Sequence, residues 1–92
     1  MWYVYIIKCS DDSLYTGIAK DVSRRIIEHN RGEGGSYTRV RTPVTLTFKE
    51  SHPTQSSALQ REAQIKRWSK AKKLALISGT IEDLPNLSKS RD

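Results

Sequence analysis

The sequence predicts an α/β chain of the α+β type. One three-stranded antiparallel sheet, at about residues 2–9, 14–19 and 44–51, is flanked by helices at about 22–30, 55–68 and 70–78. Three observations predict it. Two β-branched and aromatic runs flank Ser10-Asp11-Asp12-Ser13, which is a hairpin signal. Helical periodicity follows Asp21, Pro53-Thr54 and Ser69, where caps and first-turn residues belong. A further run in which Val44, Leu46 and Phe48 alternate with polar residues stands between the helical segments.

The hairpin has a preferred register. With Cys9 opposite Ser13, Val4, Ile6, Leu14, Thr16 and Ile18 share one face. Tyr3, Tyr5, Ile7, Tyr15 and Gly17 share the other. A slip of one residue would mix polar and apolar groups on both faces. This register sets Tyr5 opposite Gly17, where the missing side chain lets something approach the sheet beside the phenol.

The first helix begins after Asp21. Val22 and Ile26 form its apolar side, Arg25 and His29 border that stripe, and Arg24 and Glu28 point away. Residues 31–43 read as a Gly-rich loop with Tyr37, Arg39 and Arg41, suited to contacting a nucleic-acid strand or to serving as a plain connector.

In the helix after Thr54, Ala58, Leu59, Ala63 and Ile65 are apolar, and Glu62 falls in the middle of that stripe. An unpaired carboxylate there would cost several kcal/mol, so Glu62 calls for a metal ion or a cation such as Arg25. Arg61, Gln64 and Arg67 form the polar face. Ser69 caps a last helix that Gly79 stops, and Lys70, Lys72 and Lys73 oppose the dipole at its start. An anionic ligand would explain those lysines. Residues 1–79 thus read as one domain, and 80–92 as a polar, partly disordered tail.

Composition narrows the class. The chain has 92 residues and 10.5 kDa, with 16 Lys and Arg against 10 acidic residues, a net charge of +6 and a pI near 9.7. That balance points first to nucleic acid, with a generic solvated surface as the plainer reading. The single Cys9 rules out an internal disulfide and suits a reducing compartment. Trp2 to Ile7 is too short to span a bilayer and lacks the flanks of a signal peptide, so the cytoplasm is expected and a membrane partner is not.

Tyr3-Val4-Tyr5 followed by Tyr15-Thr16-Gly17 resembles the paired signature of the GIY-YIG nuclease superfamily. Arg25 and His29 match that family's helix positions, and Glu62 its metal-ligand position. The resemblance covers roughly residues 2–78 and is nearest to the small stand-alone bacterial members. His29-Asn30, Tyr37-Thr38-Arg39 and Pro43 also resemble the branch that cuts branched DNA. Tyr3 replaces the first glycine and Thr16 the central isoleucine. Asn86 is the one candidate for a late asparagine found in some relatives.

The resemblance implies an endonuclease for structured or single-stranded DNA in repair or recombination, with a protein partner that could supply specificity. One Mg²⁺ or Mn²⁺ would sit at Glu62. Tyr5 would be general base on water, helped by positive charge from Lys20, Arg25, His29 or the metal, with Tyr15 orienting the water or Tyr5. Arg25 would neutralise developing charge, and His29 could relay a proton. Gly17, Lys20, Tyr37, Arg39, Arg41, Lys70, Lys72 and Lys73 would contact nucleic acid.

Each residue also has a plainer role: cross-strand packing for the tyrosines, a salt bridge for Arg25 and Glu62, a structural histidine at 29. A non-catalytic nucleic-acid-binding module on the same fold therefore remains the alternative. A protein-interaction adaptor is disfavoured by the excess of positive charge.

Overall fold

The hairpin adopts the register described above. In the computed structural model, which describes residues 1–79, β1 (Trp2–Lys8) and β2 (Leu14–Ala19) pair antiparallel with Tyr5 opposite Gly17 and Ile7 opposite Tyr15. The tail and Asn86 lie outside the described residues. In the turn, Cys9 N–H donates to the Ser13 carbonyl at 2.9 Å and Asp12 N–H to the Cys9 carbonyl at 3.0 Å. Asp12 takes a left-handed φ of 68°, which Asp tolerates better than most residues.

β3 (Thr45–His52) joins the other side of β1, so the strand order is β2-β1-β3, all antiparallel. Ile6 faces Phe48 but Ile7 faces Leu46, which leaves Thr47 as an extra residue. The Thr47 hydroxyl donates to the Ile6 carbonyl at 2.8 Å and anchors this bulge. The bulge corrects the simple alternation expected of Val44, Leu46 and Phe48. Val44 packs with Tyr5 and Ile7, whereas Phe48 packs on the opposite face.

Each face of the sheet carries its own core. On one, Tyr5, Ile7, Cys9, Ala19 and Val44 pack with Val22 of α1 (Val22–Asn30). On the other, Val4 and Ile6 pack with Ala58 and Ile65 of α3 (Gln55–Lys66) and Leu76 of α4 (Lys70–Ile77). Ile6 and Ile65 are fully buried, each worth about 1.5–3 kcal/mol by transfer arguments.

The helix caps follow the sequence. The Asp21 carboxylate accepts from Arg24 N–H at 3.0 Å, the Thr54 hydroxyl from Ser57 N–H at 3.1 Å, and the Ser69 hydroxyl from Lys72 N–H at 3.2 Å.

Two segments differ from expectation. α3 ends at Lys66 rather than 68, because Arg67 forms its C-cap and the chain must turn to Ser69. The expected loop 31–43 contains a one-turn helix, α2 (Ser36–Arg39). Asn30 ties that segment to the sheet: its amide accepts from Val44 N–H at 2.7 Å and donates to the Val44 carbonyl at 3.3 Å. Among the described residues, no helix is long and apolar enough to cross a membrane.

Candidate active site

Register and one glycine create the site. Tyr5 lies on the central strand with its ring over Gly17, whose Cβ, if present, would lie 2.6 Å from the phenol oxygen. The ring therefore reaches across the edge strand toward α1. There its hydroxyl meets Nε2 of His29 at 2.9 Å. Both residues are buried, at 1% and 0% exposed. The far side of the imidazole is also fixed, with Nδ1 2.8 Å from the hydroxyl of buried Thr38 on α2. The backbone of Gly34 lies against the same ring, and a Cβ there would collide with Nδ1.

Aromatic contacts extend the cluster outward. Tyr15 meets His29 edge-on with centroids 5.5 Å apart and stacks with Tyr37 at 5.9 Å. Tyr37 is half exposed, and Arg41 lies over its ring at 4.1 Å. Arg41 also donates to Asp11 at 3.0 Å and to the Tyr37 carbonyl at 2.8 Å. Arg41 thus braces the hairpin turn against α2. Arg39 is exposed on the same short helix.

The charged members are arranged differently from expectation. Arg25 does not pair with Glu62. It donates to Glu28 at 3.0 Å, and Glu28 also pairs with exposed Arg24 at 3.5 Å. Glu28 therefore turns inward rather than away, and sequence spacing at i+3 and i+4 could have revealed it.

Glu62 pairs with Lys66 at 3.3 Å. It stands at the rim of the buried face and not at its middle, because Leu59 and Ala63 face solvent. Arg61 leaves the expected polar face to bind Glu50 at 3.0 Å.

Electrostatics converge on the Tyr5 hydroxyl. Burial pushes its pKa up to about 12. Arg25 opposes this, while Tyr15 and Glu62 add to it. Arg25 supplies part of the positive charge expected to help Tyr5, but desolvation outweighs the guanidinium. Arg25 is itself held above its ordinary value, chiefly by Glu28 and against the effect of burial, with a further contribution from Tyr5. Burial and Arg25 lower the His29 pKa, opposed by Glu28, so this imidazole is neutral at neutral pH. Arg25 and His29 of α1 and Glu62 of α3 thus each act on Tyr5 of β1.

The family model for the GIY-YIG catalytic domain matches residues 1–75. The chain belongs to the GIY-YIG family. A UPF0213 protein from Staphylococcus saprophyticus is 57% identical over 76 residues, covering 83% of this chain and 93% of its own length. A UPF0213 protein from Staphylococcus aureus is 57% identical over 75 residues, covering 82% and 92%.

Two solution structures share the GIY-YIG fold seen here. A UPF0213 protein from Bacillus halodurans is 43% identical with a TM-score of 0.55, covering 85% of this chain and 84% of that one. A protein from E. faecalis is 35% identical with a TM-score of 0.56, covering 86% and 85%.

Within this GIY-YIG domain, not all of the expected residues gather at the site. Lys20 stands over the Trp2 ring at 5.3 Å, and Trp2 packs on the opposite face of the sheet. Lys72 lies over Trp68 at 5.0 Å on that same opposite face, where α4 carries Lys70 and Lys73. Thr38 entered the sequence reading only within the Tyr37-Thr38-Arg39 run, and neither it nor Gly34 was expected beside His29. Their contact with His29 depends on how α2 folds back, and nothing local marks it.

Proposed function

We propose that the protein is a divalent-metal-dependent endonuclease that hydrolyses phosphodiester bonds in structured or single-stranded DNA of the kind met in repair or recombination. Membership of a nuclease family supports the class. The observation that carries the reading is the Tyr5–His29 hydrogen bond, formed where Arg25 and Glu62 both act on the phenol.

A phenol with a pKa near 12 is protonated at neutral pH, so Tyr5 is not a free tyrosinate. It can still serve as a relay. As water attacks phosphorus, its proton passes to the Tyr5 oxygen while the Tyr5 proton passes to Nε2 of neutral His29. The bond from phosphorus to the leaving oxygen then breaks, and that oxygen takes a proton from solvent. Arg25, half-buried and firmly charged, supports the negative charge that develops.

Among the described residues, no group of three or more His, Cys, Asp and Glu stands together. Glu62, whose charge acts on the Tyr5 phenol, is a single hard oxygen donor and suits Mg²⁺ or Mn²⁺ held largely by water and phosphate. When bound, such an ion would supply charge neutralisation at the scissile phosphate and leaving oxygen. Half-exposed Tyr37 and exposed Arg39 flank the cluster and suit contact with DNA bases and phosphate.

A non-catalytic nucleic-acid-binding module is the second reading, and the 1% exposure of Tyr5 favours it. Incubation of the protein with linear, flapped and four-way DNA, with and without Mn²⁺, separates the two. Metal-dependent cuts support the nuclease. Salt-sensitive binding without cuts supports the module.

A further inference from the structure

His29 is held at both ring nitrogens, and the two contacts together determine where its proton lies. Tyr5, Tyr15, Arg25, Glu28, Gly34 and Thr38 surround it. The imidazole is neutral, so one nitrogen carries hydrogen and the other accepts. Tyr5 is protonated and its hydrogen needs an acceptor. Arg25 can only donate, Glu28 is paired with Arg24 and Arg25, and Glu62 is paired with Lys66. Among the described residues, Nε2 of His29 is the acceptor left within hydrogen-bond reach of the phenol. The ring hydrogen therefore sits on Nδ1 and points at Thr38.

We propose that Thr38 is a positioning residue: its hydroxyl accepts from Nδ1–H of His29 and holds the ring in the tautomer whose Nε2 can take the Tyr5 proton. The logic is that of a base oriented by a third group. It assigns a task to the segment that carries α2, where the backbone of Gly34 clasps the same ring and Tyr37 of α2 stacks on Tyr15. The catalytic part of this inference rests on the nuclease reading. The tautomer does not.

The test is long-range ¹H–¹⁵N correlation of the imidazoles in the full ¹⁵N-labelled chain, which has two histidines and so offers His52 as an internal comparison. His29 is expected with a protonated Nδ1 and a bare Nε2 in the wild type and in Thr38→Ser. Thr38→Val keeps the shape but removes the acceptor. It is expected to lose that single pattern and to lower kcat on flapped DNA with Mn²⁺ by on the order of 10–100-fold at unchanged KM. Thr38→Ser should restore both.

A protonated Nε2 in the wild type overturns the proposal, as does an unchanged His29 pattern in Thr38→Val. If Thr38→Val does not fold, the wild-type and Thr38→Ser spectra still decide it. If the wild type cuts no DNA, the expected pattern upholds Thr38's hold on His29 and the nuclease reading alone falls.

Discussion

The hydroxyl of Tyr5 and Nε2 of His29 are 2.9 Å apart in the buried interior, so a proton-sharing pair is built into the domain before any substrate arrives. A fully buried polar pair costs desolvation, which its hydrogen bonds must offset. Here the offset comes from Thr38 on one side and from Arg25 on the other.

The pair gives stability a pH dependence at both ends. The His29 pKa lies below its ordinary 6.5, so the unfolded chain binds that proton more readily. Its contribution is fully present above about pH 6.5 and is lost as pH falls through that value toward the lowered folded pKa. Tyr5 runs the other way. With a folded pKa of about 12 against 10, its contribution is present below pH 10 and is lost as pH rises toward 12. Urea midpoints measured from about pH 4 to 8 should fall on the acid side in the wild type, and His29→Gln should flatten that slope.

Two glycines should resist the smallest change. Gly17→Ala brings a Cβ against the Tyr5 phenol and Gly34→Ala brings one against the His29 ring. Each is expected to cost about 1–3 kcal/mol of stability and to displace the pair. The measurement is the urea midpoint together with the Tyr5 and His29 ring resonances.

Thr16 offers a test in the opposite direction. Its hydroxyl is buried at the centre of the second signature triplet and has no hydrogen-bond partner among the described residues. Thr16→Val keeps the shape and removes that group. It is expected to raise stability by about 1 kcal/mol, read from the denaturation midpoint, without altering DNA binding.

The adjacent arginines should separate cleanly. Arg25 acts on Tyr5, whereas Arg24 is exposed and pairs only weakly with Glu28. Arg25→Ala is expected to reduce cleavage by about 10²–10³-fold, in line with loss of a charge-stabilising group, and Arg24→Ala by far less. Arg25→Ala should also push the Tyr5 pKa still higher, which ultraviolet titration would detect.

What was legible in the sequence was largely local. The hairpin register followed from alternation and from the polar turn, and the caps at Asp21, Thr54 and Ser69 followed from residue type. The bulge at Thr47 left no trace, because an inserted residue breaks a period of two without changing composition.

The partners of charged residues were also misread. Arg25 takes the carboxylate one turn away on its own helix, Glu28, which costs no long-range ordering, while Glu62 takes Lys66. Burial of His29 depends on α2 closing over it, a contact between segments that periodicity cannot encode. For Glu62, the sequence placed an apolar stripe at Leu59 and Ala63 that no element among the described residues covers.

The most direct test of the central claim is metal-dependent cleavage by Tyr5→Phe. The ring and its packing over Gly17 remain, while the hydroxyl at His29 is lost, at a stability cost of about 1 kcal/mol. With Mn²⁺ and flapped, four-way and linear DNA, the relay predicts a loss of kcat of about 10²–10⁴-fold with DNA affinity nearly unchanged. Cleavage by folded Tyr5→Phe at the wild-type rate would contradict it and leave Tyr5 as a packing residue.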